Sequence, residues 1–149
     1  MESIRFYRTN EPFGFLSGHY RAPFELDGAV WPTIEHYYQA QKFPDKTRQE
    51  AIRMAATPSE AKRLGRQSDA GMRPDWDTVR DEVMLRALRA KFDQHAGLRA
   101  QLLATGDAQL IENSYSDLYW GDGGNGSGQN RLGHLLMQVR DELRAEEQR

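Results

Sequence analysis

The chain has 149 residues, enough for one domain and for a core that needs no metal or disulfide to hold it. Twenty Lys and Arg against 22 Asp and Glu leave a net charge of −2, so no global positive field draws in a nucleic-acid backbone. The absence of cysteine excludes disulfides, thiol nucleophiles and zinc–thiolate sites, and fits a reducing compartment. No apolar run approaches the roughly 20 residues of a membrane span. The start Met1-Glu2-Ser3-Ile4-Arg5-Phe6 lacks the basic-then-apolar layout of a secretion signal. The expectation is a cytoplasmic protein with no membrane partner and a single domain over residues 1–149.

Ser3 to Arg8 alternates apolar and polar residues and predicts a short strand. Phe24-Glu25-Leu26 and Ala29-Val30-Trp31 flank Asp27-Gly28, the signal of a two-residue hairpin. Pro32-Thr33 opens a helix that runs to Phe43 and is stopped by Pro44. A second helix is expected from Lys46 to Met54. Thr57-Pro58-Ser59-Glu60 is a capping box with proline at the first helical position, opening a third helix that ends near Gly65. The longest helical pattern is Asp77 to Phe92, with Val79, Val83, Ala87 and Ala90 at 4-4-3 spacing. A short helix follows over Leu98 to Ala104, then a strand over Ala108 to Glu112. Tyr119-Trp120 leads into a glycine-rich loop, Gly121 to Gly128. The last helix runs from Asn130 to Ala145, with Leu132, Leu135, Leu136, Val139 and Leu143 on one face. The fold class read from this order is α+β, mainly helical around a small antiparallel sheet.

The helix after Pro32 carries its polar residues in an unusual place. At about 100° per residue, Glu35, Gln39 and Lys42 fall within roughly 60° of one another. Apolar residues do not gather opposite them: Tyr38 and Phe43 flank the stripe, and Ile34, Tyr37 and Ala40 fill the rest of the circumference. Such a helix is buried nearly all round, with a narrow polar stripe that lines a cavity; the alternative is a helix with solvated polar residues. Side chains lean toward the helix N-terminus, which tips Lys42 toward Gln39 and Glu35.

The stretch Trp120 to Gly133 holds six of the thirteen glycines. Backbone N–H groups there, feeding a helix start, suit a phosphate or a sugar hydroxyl, and Arg131 adds a charge. The alternative is a flexible surface loop. No Gly-Lys-Ser/Thr follows, so neither the P-loop nor the dinucleotide fingerprint is matched. His19, His36, His95 and His134 form no His-Glu-x-x-His run or i, i+4 pair, so no metal site is expected. Arg48, Arg53, Lys62, Arg63 and Arg66 read as a solvated face, and Lys91 as a surface residue or one lying behind the site.

Two segments together carry a resemblance. The run Gly28-Ala29-Val30-Trp31-Pro32-Thr33-Ile34-Glu35-His36-Tyr37-Tyr38-Gln39-Ala40-Gln41-Lys42-Phe43, with Trp120-Gly121-Asp122-Gly123-Gly124 and Gly128-Gln129-Asn130-Arg131-Leu132-Gly133, resembles the YbiA-like, NADAR (NAD- and ADP-ribose-associated) family. The middle, Met84 to Phe92 and Leu102 to Gly106, is similar too. The resemblance implies a compact α+β fold, no metal or organic cofactor, and N-glycosidase activity. One branch of the family cleaves ribosylamino-pyrimidine phosphates, intermediates of riboflavin synthesis; another removes ADP-ribose from modified guanine, in a nucleoside or in nucleic acid. This short chain looks closer to the first, which makes its partner a small phosphorylated ribosylamine. A non-catalytic sensor of ADP-ribose or phosphoribose is the reading from another class.

The resemblance points to Lys42 as nucleophile, with Glu35 assigned as acid/base. Asp122 is a second candidate for contacting ribose or activating water. Trp76 and Trp120 are candidates to stack on the base, and Gln39 and Asn130 to orient polar edges. Ser17, Gly18, Gly121 and Arg131 complete the expected binding set. Many family members carry Ser-Asn before an aromatic in the first loop. Here Ser17-Gly18-His19-Tyr20 puts glycine at the asparagine position, which bears on substrate preference.

Overall fold

A computed structural model describes residues 2–149. Strand β1 (Ser3–Phe6) points Ile4 and Phe6 inward, as the alternation requires. It pairs with β4 (Gln109–Glu112), Ile4 opposite Leu110. This pair is parallel, not antiparallel as the sequence suggested. A parallel pair needs a crossover, and here nearly all the chain between the two strands serves as one. The antiparallel pair is the hairpin of β2 (Phe24–Leu26) and β3 (Ala29–Trp31). Its turn has Asp27 at φ 55 and Gly28 at φ 79, the doubled positive φ of a type I′ turn. The mainly helical α+β class stands, with two two-stranded sheets.

Among the described residues, six α-helices follow the sequence signals closely. They are α1 (Ile34–Ala40), α2 (Lys46–Arg53), α3 (Pro58–Arg66), α4 (Trp76–Gln94), α5 (Ala96–Ala104) and α6 (Arg131–Glu147). Side-chain oxygens of Thr33, Asp45 and Thr57 cap α1, α2 and α3 by accepting from backbone N–H groups two or three residues on. Helix α1 stops short of its expected end at Phe43. Lys42 N–H donates to the Gln39 carbonyl and Phe43 N–H to that of Ala40, three residues back, so the last turn tightens. Pro44 explains this, since it disfavours the α conformation at Phe43. The chain also makes an unpredicted 3₁₀ turn over Gly14–Leu16. No helix among the described residues is long and apolar enough to cross a membrane.

Two compact units divide the chain, Met1–Tyr20 with Phe92–Arg149, and Arg21–Lys91. In the first, α6 buries Leu132, Leu135, Leu136, Val139 and Leu143, the face read from the sequence. Gly133 lets this helix approach β4, for a Cβ there would overlap the Leu110 carbonyl and the Asn130 amide. In the second unit, α1 is buried on nearly every side. The Tyr37 hydroxyl donates to Asp27 Oδ2 at 2.6 Å, and Arg86 on α4 donates to Asp27 Oδ1 at 2.6 Å, bracing hairpin, α1 and α4 together. Burial opposes the Asp27 charge, but the hydrogen bonds from Arg86 and Tyr37 outweigh it and hold the carboxyl below its usual range.

Candidate active site

The structure gathers the expected site residues into two sets, one in each unit. In the Arg21–Lys91 unit, α1 presents Glu35 and Gln39, with Lys42 in the tightened turn just beyond. Gln39 Nε2 donates to Glu35 Oε1 at 2.9 Å, the i, i+4 contact the helix geometry allows. Gln39 is 2% exposed, and its Oε1 has no hydrogen-bond partner among the described residues. A buried amide with one end unsatisfied is held there by packing rather than by its own hydrogen bonds.

That packing comes from α3. Gly65 lies against Gln39, and a Cβ at this position would come within 2.8 Å of Gln39 Cβ and Cδ, closer still to Oε1. Gly65→Ala is therefore expected to push the Gln39 amide off Glu35. Urea unfolding should show a loss of about 1–3 kcal/mol for this overpacking, and turnover should fall with it.

Lys42 is half-buried and its Nζ sits 5.9 Å from the centroid of the Tyr38 ring. Tyr38 in turn meets Trp76 edge-on, centroids 5.0 Å apart, and both rings are buried. Burial lowers the Lys42 amine below its ordinary value. The Glu35 carboxylate works against that fall, Arg66 and Lys62 add to it, and Asp69 opposes it. The result is an amine in an aromatic setting, biased toward the neutral form and accompanied on the same helix by a carboxylate. An amine in that state is a nucleophile, and a carboxylate beside it can pass protons.

His36, between these residues in sequence, faces elsewhere. Its Nε2 is 3.0 Å from the Ala55 carbonyl, which can only accept, so Nε2 carries a proton. Nδ1 meets the Thr33 hydroxyl at 2.8 Å. This ring pins α1 to the end of α2 and is absent from the polar stripe.

In the other unit, the glycine-rich loop is an ordered turn system. Asp122 is buried; its Oδ1 accepts from Gly124 N–H at 2.9 Å and its Oδ2 from Arg5 at 3.2 Å. Its carbonyl accepts from the N–H groups of Gly126 and Gly128. Trp120 is buried and meets Tyr119 edge-on, centroids 4.9 Å apart. Gly121 accepts from Asn130 N–H through its carbonyl, and Arg131 N–H donates to the Tyr119 carbonyl. Ser17 is buried, with its Oγ accepting from His19 N–H at 3.1 Å, and Gly18 lies in the turn they close.

Asn130 engages both ends of its amide with β4. Its Nδ2 donates to the Leu110 carbonyl and its Oδ1 accepts from Glu112 N–H, each at 2.9 Å. It also holds φ 51, a left-handed conformation that asparagine tolerates better than most residues. Asn130→Ala is expected to cost about 1–3 kcal/mol of stability in urea unfolding, because two strand groups lose their partners.

Three residues named from the sequence take places in the fold that it did not assign them. Tyr38 places its ring under the Lys42 amine, and its i−4 spacing was the available signal. Gly65 had none beyond its place at the end of a helix. Lys91, expected at the surface or behind the site, is a core residue 1% exposed. Its position after Met84, Ala87 and Leu88, at spacings of three and four, marks the buried face of α4.

A NADAR domain model matches residues 5–144 of the chain. N-glycosidase YbiA of Shigella boydii serotype 4 (strain Sb227) is 51% identical over 143 residues, covering 96% of this chain and 89% of that protein. The riboflavin biosynthesis protein VVA0006 of Vibrio vulnificus (strain YJ016) is 47% identical over 142 residues, 95% of this chain and 39% of that longer protein. The solved NMR structure of the E. coli protein YbiA superposes with a TM-score of 0.91 at 49% identity, covering 98% of this chain and 87% of that one. With a family model spanning almost its full length and relatives half identical to it, the chain belongs to the NADAR family.

Proposed function

We propose that the chain hydrolyses the C1–N bond of ribosylamino-pyrimidine 5′-phosphates and releases ribose 5-phosphate. The coarser activity, that of an N-glycosidase, follows from family membership and from half identity to proteins of that name. The riboflavin biosynthesis name of the Vibrio relative supports the finer substrate class. The observation that carries the chemistry is the Lys42 amine, depressed by burial beside Tyr38 and preceded on the same helix by Glu35.

In such a substrate the sugar C1 bears an amine, and opening of the ribose ring turns that bond into an imine. The neutral Lys42 nitrogen adds to C1. Glu35 hands a proton to the departing nitrogen, whose bond to C1 breaks, and a protonated Schiff base between C1 and Lys42 is left. Water adds to C1, a proton returns to Glu35, and the C1–N bond to lysine breaks to free the aldehyde of ribose 5-phosphate. The sum is one water consumed, with the lysine amine and the protonated Glu35 carboxyl regenerated. Gln39, donating to Glu35, keeps that carboxylate in place. Trp76 is the proposed stacking surface in this unit. In the other unit Asp122 anchors the glycine-rich loop through its own hydrogen bonds. Asn130 holds the loop through β4.

Incubation with a ribosylamino-pyrimidine 5′-phosphate and, in parallel, with ADP-ribosylated guanosine tests the reading. Ribose 5-phosphate is expected from the first. Release of ADP-ribose from the second alone would replace the proposed substrate, and binding of either without turnover would replace the enzyme by a sensor.

A further inference from the structure

Helix α3 buries Ala61 and Gly65, and Gly65 lies against Gln39 of α1. Lys62 and Arg66 each follow one of these buried residues by one position. They therefore occupy one flank of the helix, four residues and one turn apart. Like charges at that spacing disfavour a helix unless something answers them. The side chains of Lys62 and Arg66 make no hydrogen bond or ion pair with any described residue. The other arginines of the unit mostly do: Arg53 pairs with Glu50, Arg63 with Glu60, Arg73 with Asp75 and Arg86 with Asp27.

Lys42 lies one turn beyond Gln39, so it shares the region where α1 crosses α3. It too has no hydrogen-bond or ion-pair partner for its amine among the described residues. Three cations without a hydrogen-bond or ion-pair partner among the described residues thus lie near one helix crossing, where Arg66 and Lys62 lower the Lys42 amine and Glu35 and Asp69 raise it. A half-buried lysine and an arginine fork beside a reacting amine suit a dianionic phosphate, which takes paired N–H donors from a guanidinium and a point charge from an ammonium.

We propose that Lys62 and Arg66 bind the phosphate of a phosphorylated sugar whose C1 is presented to Lys42. This rests on the reading of Lys42 as the amine that meets C1. It assigns α3, expected from sequence to be a solvated face, a part in choosing phosphorylated over unphosphorylated sugars.

Titration calorimetry of the full chain with ribose 5-phosphate, and with ribose as the control, tests it. The unaltered protein should bind ribose 5-phosphate in preference to ribose. Arg66→Ala should weaken that binding about tenfold to a hundredfold, the loss expected for one charge-assisted contact. Lys62→Ala should weaken it less, and Arg66→Lys should recover part of the loss. Both side chains lack hydrogen-bond and ion-pair partners among the described residues, so thermal unfolding of the variants should fall at or slightly above the parent's temperature and show that weaker binding does not come from unfolding. An Arg66→Ala, Lys62→Ala double variant with parental affinity would overturn the proposal, as would a parent that binds ribose as well as ribose 5-phosphate. The two readings fail separately. Arg66-dependent binding of ribose 5-phosphate without turnover of the ribosylamine removes the chemistry and keeps the anion site. Turnover with parental KM in the double variant removes the anion site and keeps the chemistry.

Discussion

Lys42→Ala is expected to lower ribose 5-phosphate release by more than the about 10²–10⁴-fold that follows loss of a positioned acid or base, because the nucleophile itself is gone. Glu35→Gln should fall within that range. Neither change should unfold the protein, since among the described residues the Lys42 side chain makes no hydrogen bond and Glu35 accepts from Gln39 alone. The pH profile distinguishes chemistry from structure. Lys42 must be neutral to attack, and burial holds it below the ordinary lysine value. Turnover should rise with pH and level off earlier than a solvent-exposed lysine would require. The Glu35 carboxylate raises the Lys42 value, so its removal should move the rising limb of the residual activity to still lower pH. Near-parental turnover in both variants would refute the assignment.

The second large effect is on stability and comes from Lys91. Complete burial pulls this amine down to about 7. In the unfolded chain it titrates near the ordinary lysine value of 10.5. Between those two pH values the unfolded state holds a proton that the folded state does not. The slope of stability with pH is therefore positive there, at most about 1.4 kcal/mol per pH unit from this one group. Urea unfolding at pH 7, 8 and 9 should show stability climbing, and Lys91→Met should flatten the climb. A parent whose stability is level or falling across that window would show that Lys91 stays charged in the fold.

The helical frame was legible because its signals are local. Thr33 and Thr57 announce their caps, Pro44 ends α1, and the leucines of α6 repeat at helical spacing. The burial of α1 was legible for a related reason: apolar residues on both sides of Glu35, Gln39 and Lys42 favour a helix buried nearly all round over one with a solvated polar face. Long-range geometry was not. Four-residue strands carry no mark of direction, so the parallel pairing of β1 with β4 left no trace in either segment. The roles of Asp122 and Asn130 were hidden likewise, since a polar side chain in a glycine-rich loop looks the same whether it faces a ligand or a backbone amide. Lys91 was misjudged because lysine is so seldom buried that its residue type outweighed its position on the apolar face of α4.

The central claim is a covalent one, that Lys42 nitrogen bonds to the sugar carbon that loses the base. Sodium borohydride added during turnover, followed by digestion and mass spectrometry, tests it most directly. A peptide containing Lys42 is expected to gain the mass of reduced ribose 5-phosphate, a gain absent in Lys42→Ala. A protein that turns over the substrate under those conditions yet carries no sugar at Lys42 would contradict it.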